Sequence, residues 1–119
     1  DHQPHNKDAK QAPFSDTQHG ISTIEVLLPL LMELVDLKII DINTAIAKVT
    51  INPANTLGIE AGVIKKGSAA DLCIFRRKEW LFNDKQILSS GKNNPFIGKT
   101  FNTQVEKTIC NGKIVYEKK

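Results

Sequence analysis

The chain has 119 residues, of which 40% are hydrophobic and 24% are charged, and its formal net charge is +3. This is the composition of an ordinary globular protein, and it excludes collagen-like and disordered chains. The longest apolar run, Val26 to Met32, is far shorter than the roughly 20 residues that span a bilayer. The start lacks the charged and apolar regions of a signal peptide. We therefore predict a soluble, cytoplasmic protein that does not associate with membranes.

The charge pattern and the cysteine content argue against a nucleic-acid-binding protein and against a fold stabilised by disulfides or by a zinc knuckle. The basic residues form small groups such as Arg76-Arg77-Lys78 without interleaved aromatic residues, so no nucleic-acid binding is predicted. Cys73 and Cys110 each lie within a predicted apolar strand, and a lone pair so far apart forms neither a disulfide framework nor a zinc knuckle. We expect two reduced, buried thiols.

Side chains of catalytic or metal-binding types stand at the start of the chain, ahead of the first predicted helix. Asp1, His2 and His5 are of the types that bind divalent metals or transfer protons, and Pro4 stiffens the segment between them. Loops of this kind are normally held by a rigid scaffold. We expect that scaffold to lie upstream of the chain.

Three helices are predicted next. Ser22 and Glu25 match a capping box at the start of the first. Its apolar residues recur at helical spacing and predict a largely buried helix that Pro29 bends: Ile24, Leu27, Leu28, Leu31, Leu34 and Val35. Asp41 is a good N-cap for a second helix that ends near Val49. A short third helix is expected to start at Asn52-Pro53 and to end at Gly58.

Beyond Gly62 the pattern is typical of strands. Ala70 to Phe75 is an apolar run of strand length, and Glu79 to Phe82 is a candidate neighbour. Val105 to Cys110 and Lys113 to Tyr116 flank Asn111-Gly112, a pair that favours a type I′ hairpin turn. Ser89 to Gly98 is rich in Gly, Asn and Lys and is predicted to be a loop.

Six sequence blocks, found in this order, resemble the C-terminal third of dihydroorotases of the amidohydrolase superfamily. They are Asp1-His2-Gln3-Pro4-His5, Ala9 to Phe14, the Gly20 to Leu31 helix, Asn52-Pro53-Ala54 with Leu57-Gly58, Gly67 to Leu72, and Asn93 to Gly98. The resemblance covers nearly the whole chain.

The resemblance implies an α/β fold. Residues 1–58 would be the C-terminal part of a (β/α)8 TIM-type barrel, namely the end of strand 8 and the closing helices. Residues 59–119 would be strands of the satellite β-sandwich domain. Active residues of such barrels lie at the C-terminal ends of the strands, so this chain would begin at the last catalytic residue of the enzyme.

The resemblance also implies a reaction. Dihydroorotase uses zinc to interconvert N-carbamoyl-L-aspartate and L-dihydroorotate in pyrimidine biosynthesis. By motif, Asp1 would be a metal ligand and the general acid/base, and His5 would bind the substrate carboxylate. His19 and Gly20 would offer a further substrate contact through the backbone, although His19 replaces the aromatic residue usual in the family. His2 is expected to pack or to support the site, not to bind metal.

The other metal ligands of the family lie on strands that this chain does not contain, so two functions remain open. The first is the C-terminal portion of an active dihydroorotase that is inactive alone and needs the remainder of the enzyme, as part of a homo-oligomer. The alternative is a noncatalytic dihydroorotase-like partner of aspartate carbamoyltransferase. An independent β-rich binding module is disfavoured by the apolar stripe of the first helix.

Overall fold

The computed structural model describes residues 2–118, apart from the side chain of Lys7. Three α-helices come first, α1 (Leu27–Asp36), α2 (Ile42–Val49) and α3 (Ile51–Leu57), and three strands follow, β1 (Leu72–Leu81), β2 (Thr100–Cys110) and β3 (Lys113–Glu117). Short 3-10 turns cover Lys7–Lys10, Ile24–Val26 and Asp84–Gln86. This is the predicted α/β fold. None of the described helices has both the length and the apolar character that crossing a membrane requires.

The first helix begins differently from its prediction. The turn Ile24–Val26 is 3-10, and α1 proper starts only at Leu27. Pro29 therefore lies in the first helical turn, where a missing N–H breaks no helical hydrogen bond, and the predicted bend has no cause. The capping box was also wrong: the Ser22 hydroxyl has no hydrogen-bond partner within residues 2–118, and the Glu25 carboxylate is bonded to Ser89.

The buried face of α1 is not the predicted stripe. Val26, Pro29 and Met32 are buried, whereas Ile24 is 60% and Leu27 51% exposed. Because the helix is apolar around most of its circumference, the sheet can bury only one side of it. Leu34 is exposed as well, whereas Leu28, Leu31 and Val35 are half-buried. The prediction of a largely buried stripe is therefore wrong for three of its six residues.

The predicted capping residues mark the start of α2 and the end of α3, but not the start of α3. Asp41 accepts a hydrogen bond from the Thr44 amide and caps α2 as predicted. The third helix ends at Gly58 in the left-handed conformation, also as predicted. Its start was misplaced, because Thr50 occupies the N-cap and Asn52 and Pro53 already lie inside the first turn.

The three strands form one antiparallel sheet in the order β1-β2-β3. The two predicted strand segments after Ala70 are a single strand, β1, which keeps its pairing with β2 through an irregularity between Arg77 and Trp80. The predicted hairpin is confirmed: Asn111 has φ of 48° and Gly112 of 76°, as a type I′ turn requires.

A small core joins the helical and strand halves. Val26 of the 3-10 turn packs with Phe82, Ile87 and Phe101, which are all buried. Two ion pairs hold α1 against the strand half of the chain: Glu33 pairs at 2.8 Å with Lys99, which directly precedes β2, and Asp36 pairs with Arg77 of β1. The core therefore draws on both sides of residue 58, and the division into domains at that position stays a prediction.

The prediction that both thiols are buried is wrong. Cys73 and Cys110 are both free, and both are exposed at the β1/β2 end of the sheet. A short three-stranded sheet with α1 on one side cannot cover every apolar position of its strands.

Candidate active site

Residues 2–5 are held between two segments that are far away in sequence. On one side His2 forms a parallel bridge with Ile21, and the Gln3 amide donates to the Ile21 carbonyl at 2.9 Å. On the other side lies the predicted loop between Ser89 and Gly98. This backing loop, residues 89–93, supplies both side-chain and backbone bonds to residues 2–5.

His5 is fixed by three hydrogen bonds. Its amide donates to Asn93 Oδ1 at 2.7 Å, its carbonyl accepts from the Lys92 amide at 3.1 Å, and its ring atom Nε2 lies 2.9 Å from the His19 carbonyl oxygen. A carbonyl oxygen only accepts, so Nε2 carries the proton. The other ring nitrogen, Nδ1, has no partner within residues 2–118.

The predicted substrate residues thus meet at one place. His19 and Gly20 are exposed, and His19 contacts His5 through its backbone, not through its ring. Gly20 has φ of 79°, and a Cβ there would lie 2.5 Å from the Gln3 side chain. A side chain at position 20 would therefore be strained and would press on the segment that carries His5.

His2 belongs to a second hydrogen-bond network. Its Nδ1 accepts from the amides of Thr23 and Ile24, at 3.1 and 3.3 Å. Its Nε2 lies 3.4 Å from the Ser89 hydroxyl, which donates to Glu25 Oε1 at 2.5 Å. The Ser89 amide donates to the same oxygen at 2.8 Å. These bonds connect His2, the 3-10 turn Ile24–Val26 with its N-cap Thr23, and the backing loop.

The hydrogen bonds from Ser89 control the ionisation of Glu25. Partial burial by itself would raise the pKa of this carboxyl, but the bonds from the Ser89 hydroxyl and amide outweigh it and lower the pKa of Glu25 below its ordinary value. Glu25 is therefore an ionised acceptor at neutral pH.

Asp1, the predicted metal ligand and general acid/base, lies outside the described residues. Within residues 2–118 no three His, Cys, Asp or Glu side chains are grouped closely enough to hold a metal ion. The Nδ1 atom of His2 and the Nε2 atom of His5 are already hydrogen-bonded. A zinc site normally takes three or more protein ligands, so these residues do not by themselves fit a catalytic zinc.

A cavity of about 290 Å³ lies apart from the predicted site residues. Apolar side chains such as Pro29, Trp80 and Phe82 line it, together with Glu25 and Gln104. Glu25 Oε2 and Gln104 Oε1 have no hydrogen-bond partner within the described part of the chain. Neither His5 nor His19 borders this cavity, so it does not add to the site that they form.

Three residues of the backing loop were missed by sequence reasoning. Asn93 bonds His5, Ser89 joins His2 to Glu25, and a Cβ on Gly91 would lie 2.3 Å from the His5 amide nitrogen. The Gly- and Asn-rich composition of this segment predicted a loop, but nothing local showed that it would pack on residues almost 90 positions earlier.

Comparison with known proteins supports a common origin over nearly the full chain. A dihydroorotase of Geotalea daltonii is 36% identical over 119 residues, covering 99% of this chain and 28% of that protein. A dihydroorotase of Clostridium acetobutylicum is 40% identical, covering 100% of this chain and 28% of that protein. A dihydroorotase-like protein of Pseudomonas putida is 42% identical over 115 residues, covering 97% of this chain and 27% of that protein. The chain thus spans little more than a quarter of the length of these relatives.

Solved structures agree on the fold. The D-hydantoinase (dihydropyrimidinase) from Thermus sp. matches 98% of this chain with a TM-score of 0.87 and 22% identity, over 27% of its own length. A second D-hydantoinase matches 95% of this chain and 25% of its own with a TM-score of 0.83 and 18% identity. The model of the Amidohydrolase family matches residues 5–115. Given this match over nearly all of its length, the chain belongs to the Amidohydrolase family.

Proposed function

We propose that the chain is the C-terminal portion of a zinc-dependent dihydroorotase that interconverts N-carbamoyl-L-aspartate and L-dihydroorotate. One observation carries the proposal: His5 and the His19-Gly20 segment, the substrate positions expected from the resemblance, meet through the 2.9 Å contact of His5 Nε2 with the His19 carbonyl. Relatives named dihydroorotase match nearly the whole chain. The barrel-end and satellite-sandwich positions of residues 1–58 and 59–119 belong to the same proposal.

His5 is assigned to the substrate carboxylate. The bond to His19 fixes Nε2 as a donor, which leaves Nδ1 as the ring atom that can meet a ligand. In the imidazolium form Nδ1–H donates a charge-assisted hydrogen bond, the kind that recognises a carboxylate most strongly. The exposed residues His19 and Gly20 adjoin His5, and their backbone is proposed to supply the further substrate contact.

Asp1 is assigned to the proton transfer. In the hydrolytic direction it takes a proton from the attacking water as the new C–O bond forms, and it returns that proton to the ring nitrogen as the C–N bond breaks. Zinc would be held by Asp1 together with residues outside this chain, since residues 2–118 do not supply a site. The chain on its own is proposed to be inactive, and the full protein to be a cytoplasmic homo-oligomer.

The test is cyclisation of N-carbamoyl-L-aspartate by the full-length protein with zinc. Wild-type protein should turn over, and Asp1→Asn should lose about two to four orders of magnitude in kcat with a nearly unchanged KM. Asp8→Asn, an exposed carboxylate in the same segment, is the matched control and should behave as wild type. Absence of turnover by the wild-type protein would contradict the proposal and would favour the alternative, a noncatalytic partner of aspartate carbamoyltransferase.

A further inference from the structure

We infer that Ser89 and Glu25 form a positioning device that holds the ring of His2, the residue next to the proposed catalytic Asp1 in the sequence. The inference rests on the proposed function, because it is through Asp1 that the device would act on the reaction. It concerns residues that lie 64 and 87 positions apart in sequence and that are joined by hydrogen bonds in the structure.

The direction of each hydrogen bond can be assigned. Two backbone amides donate to Nδ1 of His2, so that nitrogen carries the lone pair and the ring proton lies on Nε2. Nε2–H then donates to the Ser89 hydroxyl, and the hydroxyl donates to Glu25 Oε1. Each donor has an acceptor, so His2, Ser89 and Glu25 form one continuous series of hydrogen bonds that ends on the Glu25 carboxylate and in which each bond polarises the next.

The device fixes His2 from several sides. The backbone of residue 2 is paired with Ile21, Nδ1 is held by the amides of Thr23 and Ile24 before α1, and Nε2 is held by the backing loop. Glu25 in turn fixes Ser89 through two bonds, one from its hydroxyl and one from its amide. His2 is therefore held by its backbone and by both of its ring nitrogens, as a residue that supports a catalytic neighbour has to be.

A separate contact serves the other end of the segment. Asn93 Oδ1 accepts from the His5 amide, and Asn93 Nδ2 donates to the Gln3 carbonyl at 3.0 Å. The backing loop therefore holds the segment at two points, with Ser89 bonded to His2 and Asn93 bonded to Gln3 and His5. If Asp1 transfers the proton and His5 binds the carboxylate, loss of Ser89 should affect kcat and loss of Asn93 should affect KM.

Kinetics of the full-length protein test this division. Ser89→Ala should lower kcat about ten- to hundredfold with KM within about twofold of wild type, and Ser89→Thr, which keeps the hydroxyl, should recover most of that loss. Asn93→Ala should mainly raise KM. Ser90→Ala, an exposed neighbour, is the control and should be neutral. Unchanged kcat in Ser89→Ala, or equal effects of Ser89→Ala and Asn93→Ala on KM, would overturn the inference.

A second measurement is independent of catalysis. In full-length protein labelled with 15N-histidine, NMR should show His2 protonated at Nε2 and unprotonated at Nδ1, and Ser89→Ala should shift the Nε2 resonance. A proton on Nδ1, or no shift in the variant, would overturn the inference even in an active enzyme. If the tautomer is as expected but the wild-type protein does not turn over, the device stands and the proposed reaction fails.

Discussion

The side chain of Asn93 bridges the backbone of residues 3 and 5, accepting from the His5 amide at 2.7 Å and donating to the Gln3 carbonyl at 3.0 Å. One amide side chain thus satisfies two backbone groups of the segment that begins the chain. The segment forms neither a helix nor a strand of its own, so its backbone groups are satisfied by the backing loop on one side and by Ile21 on the other.

Removal of the His5 ring should weaken substrate binding. In the full-length protein we expect His5→Ala to raise KM for N-carbamoyl-L-aspartate about 10- to 100-fold, the loss that corresponds to one hydrogen bond to a charged group. The effect on kcat should be smaller, since His5 is assigned to binding. Steady-state kinetics measure both, with the exposed Gln11→Ala as the control. A KM equal to that of wild type would remove His5 from the substrate site.

Gly91 should be intolerant of any side chain. A Cβ at this position would lie 2.3 Å from the His5 amide nitrogen and 2.4 Å from the Pro4 carbonyl carbon, so two backbone segments would have to separate. We expect Gly91→Ala to lower kcat/KM of the full-length protein at least about tenfold and to lower its Tm, while Ser90→Ala changes neither. Wild-type kinetics in Gly91→Ala would show that residues 4 and 5 move without cost.

The local elements of this chain could be predicted where short-range chemistry decides them. Asp41 caps α2 by accepting a hydrogen bond from the amide of Thr44, three residues later. The hairpin turn depends on the backbone conformation of two adjacent residues, Asn111 and Gly112. Glu25 is the opposite case, because a carboxylate with the correct spacing for a capping box is bound by Ser89, 64 residues later. The same limit applies to the site: the family resemblance indicated His5 and His19, but the support of His5 by Gly91 and Asn93 depends on a long-range contact that no local pattern encodes.

Glu25 should make the stability of the protein sensitive to acid. Its pKa is lowered in the folded state, so its contribution is present above the ordinary carboxyl pKa of about 4.3 and is lost as the pH falls through the lower, folded value. Urea unfolding of full-length wild type and Glu25→Gln between about pH 6 and about pH 3 should show a steeper loss for wild type. Parallel curves would mean that the bonds from Ser89 do not favour the ionised carboxylate.

The 119-residue chain should not catalyse the reaction. Residues 2–118 contain no cluster of three metal-ligating side chains, and addition of Asp1 alone would not supply the three or more ligands of a catalytic zinc. We expect the purified chain to retain no stoichiometric zinc after dialysis and to show no cyclisation of N-carbamoyl-L-aspartate. The full-length protein treated in the same way is the control. Tight zinc together with turnover in the short chain would contradict this prediction.

The last prediction concerns the surface that the chain leaves uncovered. Its accessible area is 8531 Å² and its radius of gyration 16.1 Å. A compact monomer of 13.2 kDa would have about 6,400 Å² and about 13.5 Å. Large apolar side chains contribute to the exposed area, since Ile64 is 91%, Leu57 72% and Leu27 51% exposed.

Each large apolar side chain left in water forgoes about 1.5–3 kcal/mol of burial, so a few of them rival the stability of a typical domain. The outer edges of β1 and β3 lack a neighbour among the described strands and can pair with other chains. We therefore expect the 119 residues, expressed alone, to be associated or to lack fixed packing, whereas the full-length protein melts cooperatively. Sedimentation and a thermal melt of both proteins provide the measurement. A monodisperse monomer of the short chain with one sharp transition would show that residues 2–118 bury enough apolar surface to fold without further partners.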